Sequence, residues 1–234
     1  MRFQDAAPDA RAVVYAGIQA DPLVARAAAL LADASSDQRI LARAVMNGMS
    51  TDATTWTAMF PSLFGPAVPA DAPGRERSEA ILAVSLEVAE RGEQVRSQVR
   101  GAIVESLTEL LVRRRTSGPP TGSGAGVRRE RRILFDGVRA EIHPYDVTVE
   151  TPGAAEAIDC KWGARGINAD VLHQLDDARS HAEAEDETLV ATIVVFDAER
   201  SCRVRLERQT APHEGTRLIG IESLDRLADP RPGR

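Results

Sequence analysis

Lysine is almost absent from this 234-residue chain. Of its 29 basic residues, Lys161 is the sole lysine and all the others are arginine. Such a ratio reflects biased coding, but a guanidinium cannot replace an amine that is used as an amine. The one exception therefore marks its own neighbourhood. Cysteine is scarce as well: Cys160 and Cys202 cannot build a disulfide framework or a four-thiolate zinc site. No apolar run approaches the ~20 residues that span a bilayer, the longest useful one lying around 190–196. The start, MRFQDAAPDARAVV, lacks the pattern of a secretory signal. No glycine-rich phosphate loop is present, because the glycines at 122–126 have no strand before them and no lysine after them. His143, His173, His181 and His213 lack metal-ligand spacing. What remains is 43% hydrophobic and 27% charged, with a net charge of -6, the composition of an ordinary folded protein. A soluble, cytoplasmic protein is expected. An acidic balance argues against a nucleic-acid-coating protein but not against an enzyme with a local basic surface.

The period of the apolar residues divides the chain. Up to about Arg115 it is helical: 8–20, 22–34, 37–47, a short helix and loop within 51–73, then a long stretch over 75–115 that Gly92 and Gly101 interrupt. The segment SGPPTGSGAG at 117–126 cannot hold a helix. Beyond it come short strands at 131–135, 138–142, 146–150 and 157–161. They are separated by Asp136-Gly137, a hairpin turn requiring positive φ, and by Pro152-Gly153. A helix over 168–185 follows, then strands at 190–196 and 202–206, a short strand at 218–220 and a closing helix at 223–227. The fold class is α/β (α+β): a helical region, 1–95, followed by a second domain, 96–234, with a central mixed sheet flanked by helices.

Alternation places Asp159 and Lys161 on one face of their strand. The Pro152-Gly153 turn makes 146–150 and 157–161 a hairpin, which brings Asp146 to the same end of the sheet. Two carboxylates repel each other, and a hard cation such as Mg²⁺, which takes one or two carboxylates and keeps waters, relieves the repulsion. An ammonium beside them, its pKa lowered by burial, can orient or deprotonate a water. This is equipment for metal-assisted attack on a phosphodiester.

Pro144-Tyr145-Asp146 followed by Asp159-Cys160-Lys161 resembles the PD-(D/E)XK nuclease superfamily, over roughly residues 96–227. The resemblance implies a restriction endonuclease-like core and a Mg²⁺-dependent endonuclease, with Mn²⁺ as a substitute. It implies metal ligation by Asp146, Asp159 and the Cys160 carbonyl, with Lys161 at the attacking water. Glu105 on the preceding helix matches a further metal-binding Glu of the family, with Glu109 as a rival one turn away. Gln174 matches a Gln on the following helix. Tyr145 departs from the pattern by separating the Pro from the Asp. DNA is the substrate that the resemblance implies, with RNA left open, and phage defence is the setting it brings to mind.

A second signal is basic. Residues 113–132 carry seven arginines against one glutamate. Arg128, Arg129, Arg131 and Arg132, with Arg165 after the lysine, are candidates for the phosphate backbone. The alternative is a set of arginines paired with acidic neighbours. Trp162 stacks on a base or packs the sheet end. Two other readings stand beside the enzyme: a nuclease-fold module that binds nucleic acid or assembles complexes without catalysis, and a regulatory protein docking through residues 1–95. A homodimer is expected, since small nucleases pair to cut both strands.

Overall fold

The computed structural model describes residues 1–7, 10–69, 71–116, 126–139 and 143–229. The chain forms two compact units, Ala10–Leu107 and, separately, Met1–Asp9 with Thr108–Arg234. The division falls after Leu107 rather than after residue 95. The N-terminal strand belongs with the sheet, which helical periodicity alone could not reveal.

The first unit is helical: α1 (Ala10–Gln19), α2 (Pro22–Ala32), α3 (Ser36–Asn47), α4 (Ala53–Met59), α5 (Pro61–Phe64), α6 (Pro73–Ala89) and the first part of α7 (Glu93–Thr116). Asp21 caps α2 by accepting from the Leu23 N–H at 2.9 Å, with Pro22 preset in the first turn. Ser35 and Gln38 form a capping box on α3. The Gln38 amide then donates to the Gly74 carbonyl and Ser78 Oγ of α6. Arg39 is fully buried, and its Nε donates to the Leu31 carbonyl at the end of α2, where a cation is favoured. The long stretch breaks at Gly92 but not at Gly101, which stays helical.

The second unit is built on a mixed sheet of β1 (Arg2–Asp5), β2 (Gly126–Phe135), β3 (Val138–Arg139), β4 (Tyr145–Thr151), β5 (Ala154–Lys161), β6 (Thr188–Val195) and β7 (Arg217–Ile219). The order is β1-β2-β4-β5-β6-β7, with β3 pairing β2. The β2–β4–β5 part is antiparallel, and β6 and β7 add in parallel. Asp136 and Gly137, at φ 49° and 79°, make the two-residue hairpin turn between β2 and β3. Pro152-Gly153, with Gly153 at φ 72°, closes the β4–β5 hairpin in the expected register. The strand expected over 138–142 is β3 as far as residue 139, and 140–142 lie outside the described residues, as does most of the segment at 117–126.

Helix α8 (Ala169–Ala184), capped by Asn168, packs on one face of the sheet through Leu172, Leu175, Ala178 and Ala182. Ala155 and Ala157 of β5 and Leu189, Ala191, Ile193 and Val195 of β6 line that side. Glu130, in β2 at φ 52°, kinks the strand. Arg129 before it reaches Glu109 of α7, whereas Ile133 and Phe135 after it join the α8 cluster. The strand expected at 202–206 is instead helix α9 (Glu199–Glu207). Cys202, Val204 and Leu206 alternate like a strand. However, Cys202 and Leu206 pack together into the core while Val204 is exposed, which is helical spacing. The closing helix is 3₁₀, Ile221–Leu227.

Candidate functional site

The β4–β5 register pairs Val147 with Ile158. The next step along both strands therefore sets Asp146 opposite Asp159. Asp146 Oδ2 accepts from the Cys160 N–H at 2.5 Å, replacing the backbone acceptor that the end of β4 no longer supplies. Lys161 Nζ lies 2.6 Å from Asp159 Oδ2. Asp159 is buried at 7% exposure, and the lysine side chain is about a quarter exposed. Two carboxylates and an ammonium thus meet at one end of the hairpin, at the edge of the α8 side of β5.

The lysine differs from expectation in one respect. Burial pushes its ammonium down, but the carboxylates of Asp159 and Asp146 outweigh burial and hold its pKa above the ordinary value. In this arrangement Lys161 keeps its proton across the neutral range.

Gln174 is buried on α8, and its amide grips one residue with both ends. Its Oε1 accepts from the His143 N–H at 3.2 Å, and its Nε2 donates to the His143 carbonyl at 3.1 Å. Tyr145, fully buried, donates its hydroxyl to the Gln174 carbonyl at 3.3 Å. These bonds tie α8 to the segment leading into Asp146, so Gln174 positions the site through the backbone. Gln174→Ala is expected to cost about 1 kcal/mol, because it removes both hydrogen bonds that hold the partly buried His143 backbone to α8. Denaturant unfolding measures that cost, and faster hydrogen exchange at the His143 amide locates it.

Glu105 belongs to the helical unit. There its carboxylate accepts from the Tyr15 hydroxyl at 2.5 Å and from Gln19 Nε2 at 2.8 Å. Both oxygens are engaged in holding α1, which is a structural use. Its rival Glu109 pairs with Arg113 and Arg129. Among the described residues no three His, Cys, Asp or Glu side chains converge on one point. A hard cation here would rely on Asp146 and Asp159 with water. That is within what Mg²⁺ accepts. The Phe196 N–H bonds to the Lys161 carbonyl, so Lys161 faces β6 and the neighbouring Cys160 carbonyl opens toward β4 and Asp146.

The basic segment is largely neutralised. Arg131 bonds Glu150 and Asp5, Arg129 meets Glu109, and Arg115 is buried against Glu156. Arg129 and Arg131 are therefore spent on packing rather than offered to a backbone. Arg132 lines a groove of about 760 Å³ with Gln4, Asp5 and Val138, along β1 and away from the carboxylates. Arg128 and Arg165 are exposed and have no ion-pair partner among the described residues. Trp162 stacks on Phe196 with ring centroids 5.0 Å apart and an interplanar angle of 26°, so one face of its ring packs the sheet end.

Two residues were not singled out by sequence. Asp197 follows β6 and accepts the Ala164 N–H at 3.0 Å, fixing the turn after Lys161. Its position just beyond an apolar strand was the available signal. Gly166 lies in that turn with no room for a side chain: an added Cβ would sit 2.8–3.0 Å from Cδ, Cγ and Cβ of Lys161. Nothing local marks it.

No protein-family model and no curated protein matches this chain. Among solved structures, protein VC1899 from Vibrio cholerae is similar, with a TM-score of 0.50 and 16% identity. The likeness covers 97% of this chain but 56% of VC1899, so the chain spans little more than half that protein's length. At this identity the likeness speaks for the fold alone. Among the described residues no helix is long and apolar enough to cross a membrane.

Proposed function

We propose that the sheet unit is a restriction endonuclease-like domain that hydrolyses phosphodiester bonds with a divalent cation, Mg²⁺ or Mn²⁺. The observation that carries the reading is the meeting of Asp146, Asp159 and Lys161 at one end of the β4–β5 hairpin. Bound at the two carboxylates, the cation would polarise a phosphoryl oxygen and make an attacking water more acidic. The protein's own share is to hold the carboxylates at fixed register, to keep an ammonium beside them for the charge that develops on phosphate, and to brace Asp146 through Gln174. Arg128 and Arg165 are the arginines best placed by exposure to meet a backbone phosphate. DNA is the proposed substrate and phage defence the proposed setting, both on the resemblance described above.

A second reading is a nucleic-acid-binding or assembly module without catalysis. It is favoured by the absence of a three-donor cluster among the described residues. Incubating the protein with supercoiled and single-stranded DNA, and with RNA, in Mg²⁺, Mn²⁺ or EDTA separates the two. Cation-dependent nicking or degradation supports the nuclease. Tight binding in EDTA with no cleavage under any cation supports the module.

A further inference from the structure

We propose that Lys161 is the resident counter-ion of the Asp146–Asp159 pair, and that a divalent cation takes this site by displacing the lysine ammonium from Asp159. The inference rests on the reading of the two carboxylates as a cation site.

The geometry is built for the lysine to sit where it does. Its Nζ is 2.6 Å from Asp159 Oδ2, which is contact distance for an ion pair. The same oxygen cannot keep that ammonium and also ligate a dication from the same side, because the two cations repel at such separation. The lysine stem is held from beneath. Gly166 leaves open the space that a Cβ would fill, and that space is occupied by Cβ, Cγ and Cδ of Lys161. Gly166 does not have a left-handed backbone, so small size is the property required there. The turn that presents Gly166 is closed by its own N–H on the Gly163 carbonyl at 2.8 Å and by Asp197 on the Ala164 N–H. No other lysine exists to take the place.

The consequence is an exchange. Without a divalent ion, Lys161 offsets the repulsion between the Asp146 and Asp159 carboxylates. When the ion binds, the ammonium is freed and becomes available to an anionic oxygen of a phosphodiester. Divalent-ion binding and substrate binding then favour each other, since the substrate gives the released ammonium a new partner.

The test uses the full chain and Mg²⁺ or Mn²⁺ alone, at fixed ionic strength, followed by calorimetry. Lys161→Met keeps the stem and removes the charge. It is expected to bind the ion roughly tenfold more tightly than the unaltered protein. Gly166→Ala, whose Cβ would push the lysine stem aside, is expected to shift affinity in the same direction by a smaller factor. Because the chain holds a single lysine, ¹³C-lysine labelling yields one set of side-chain signals. Those signals are expected to move on saturation with Mg²⁺ at the calorimetric midpoint. If the unaltered protein binds the ion while Lys161→Met binds equally or less tightly, displacement is wrong and the cation site stands. A lysine signal indifferent to the ion overturns displacement as well. If neither form binds, the cation site itself is wrong and the inference falls with it.

Discussion

Asp159→Asn is expected to lower divalent-cation-dependent cleavage by roughly 10³-fold or more, with the fold intact. The size follows from losing one of two charged cation ligands, an effect of several kcal/mol on a transition state that concentrates negative charge. The fold survives because the side chain pairs with Lys161, whose ammonium is partly exposed and can turn to water. Asp146→Asn should lower cleavage comparably, with a further small cost because its carboxylate also holds the Cys160 N–H. Cleavage of a fluorescent DNA duplex, with circular dichroism and thermal melts of each variant, measures both quantities. Cleavage within a few-fold of the parent in either folded variant would remove that carboxylate from the site.

Glu156→Ala, three residues earlier on the same strand, is expected to do the reverse. It should destabilise the sheet unit by about 3–5 kcal/mol. Glu156 points to the face of β5 opposite Asp159 and is 2% exposed. Its Oε2 takes Arg115 Nη2 of α7 at 2.6 Å, and its Oε1 takes the Thr192 hydroxyl at 2.8 Å. Arg217 lies 3.9 Å away. Removing the carboxylate strands a buried guanidinium and a buried hydroxyl, and the stranded charge is what costs most. Glu156→Gln keeps the shape and the Thr192 bond and should cost less. Urea denaturation of the three proteins reads this order, and equal stability of Glu156→Ala and the parent would mean that Arg115 finds other compensation. Glu156 holds the sheet to α7, whereas Asp159, under the proposed function, would hold the cation.

Much of this was legible in the residues. Asp136-Gly137 and Pro152-Gly153 specify two-residue turns by their own backbone preferences, so the hairpins and the β4–β5 register follow from local chemistry. That register is what sets Asp146 opposite Asp159. Where the signal was ambiguous, packing decided. Cys202, Val204 and Leu206 fit either period, and burial of Cys202 and Leu206 on one side selected the helix. Strand β1 is too short to announce itself and forms because β2 offers an edge.

The arginines show the limit of composition. A segment with seven arginines and one glutamate reads as a basic patch. Arg115, Arg129 and Arg131 are nevertheless matched by Glu156, Glu109, Glu150 and Asp5, most of them distant in sequence. Glu105 is a similar case, since its hydrogen bonds come from Tyr15 and Gln19.

The sequence by itself determined most of the elements, the hairpin turns and the meeting of two aspartates with the chain's one lysine, because alternation and turn geometry act over a few residues. Only the tertiary structure decided which charges are spent on one another, that Gln174 acts through the His143 backbone, and that Gly166 makes room for Lys161. Those depend on which side chains, remote along the chain, share a space from which water is excluded. In that space every polar group needs a partner.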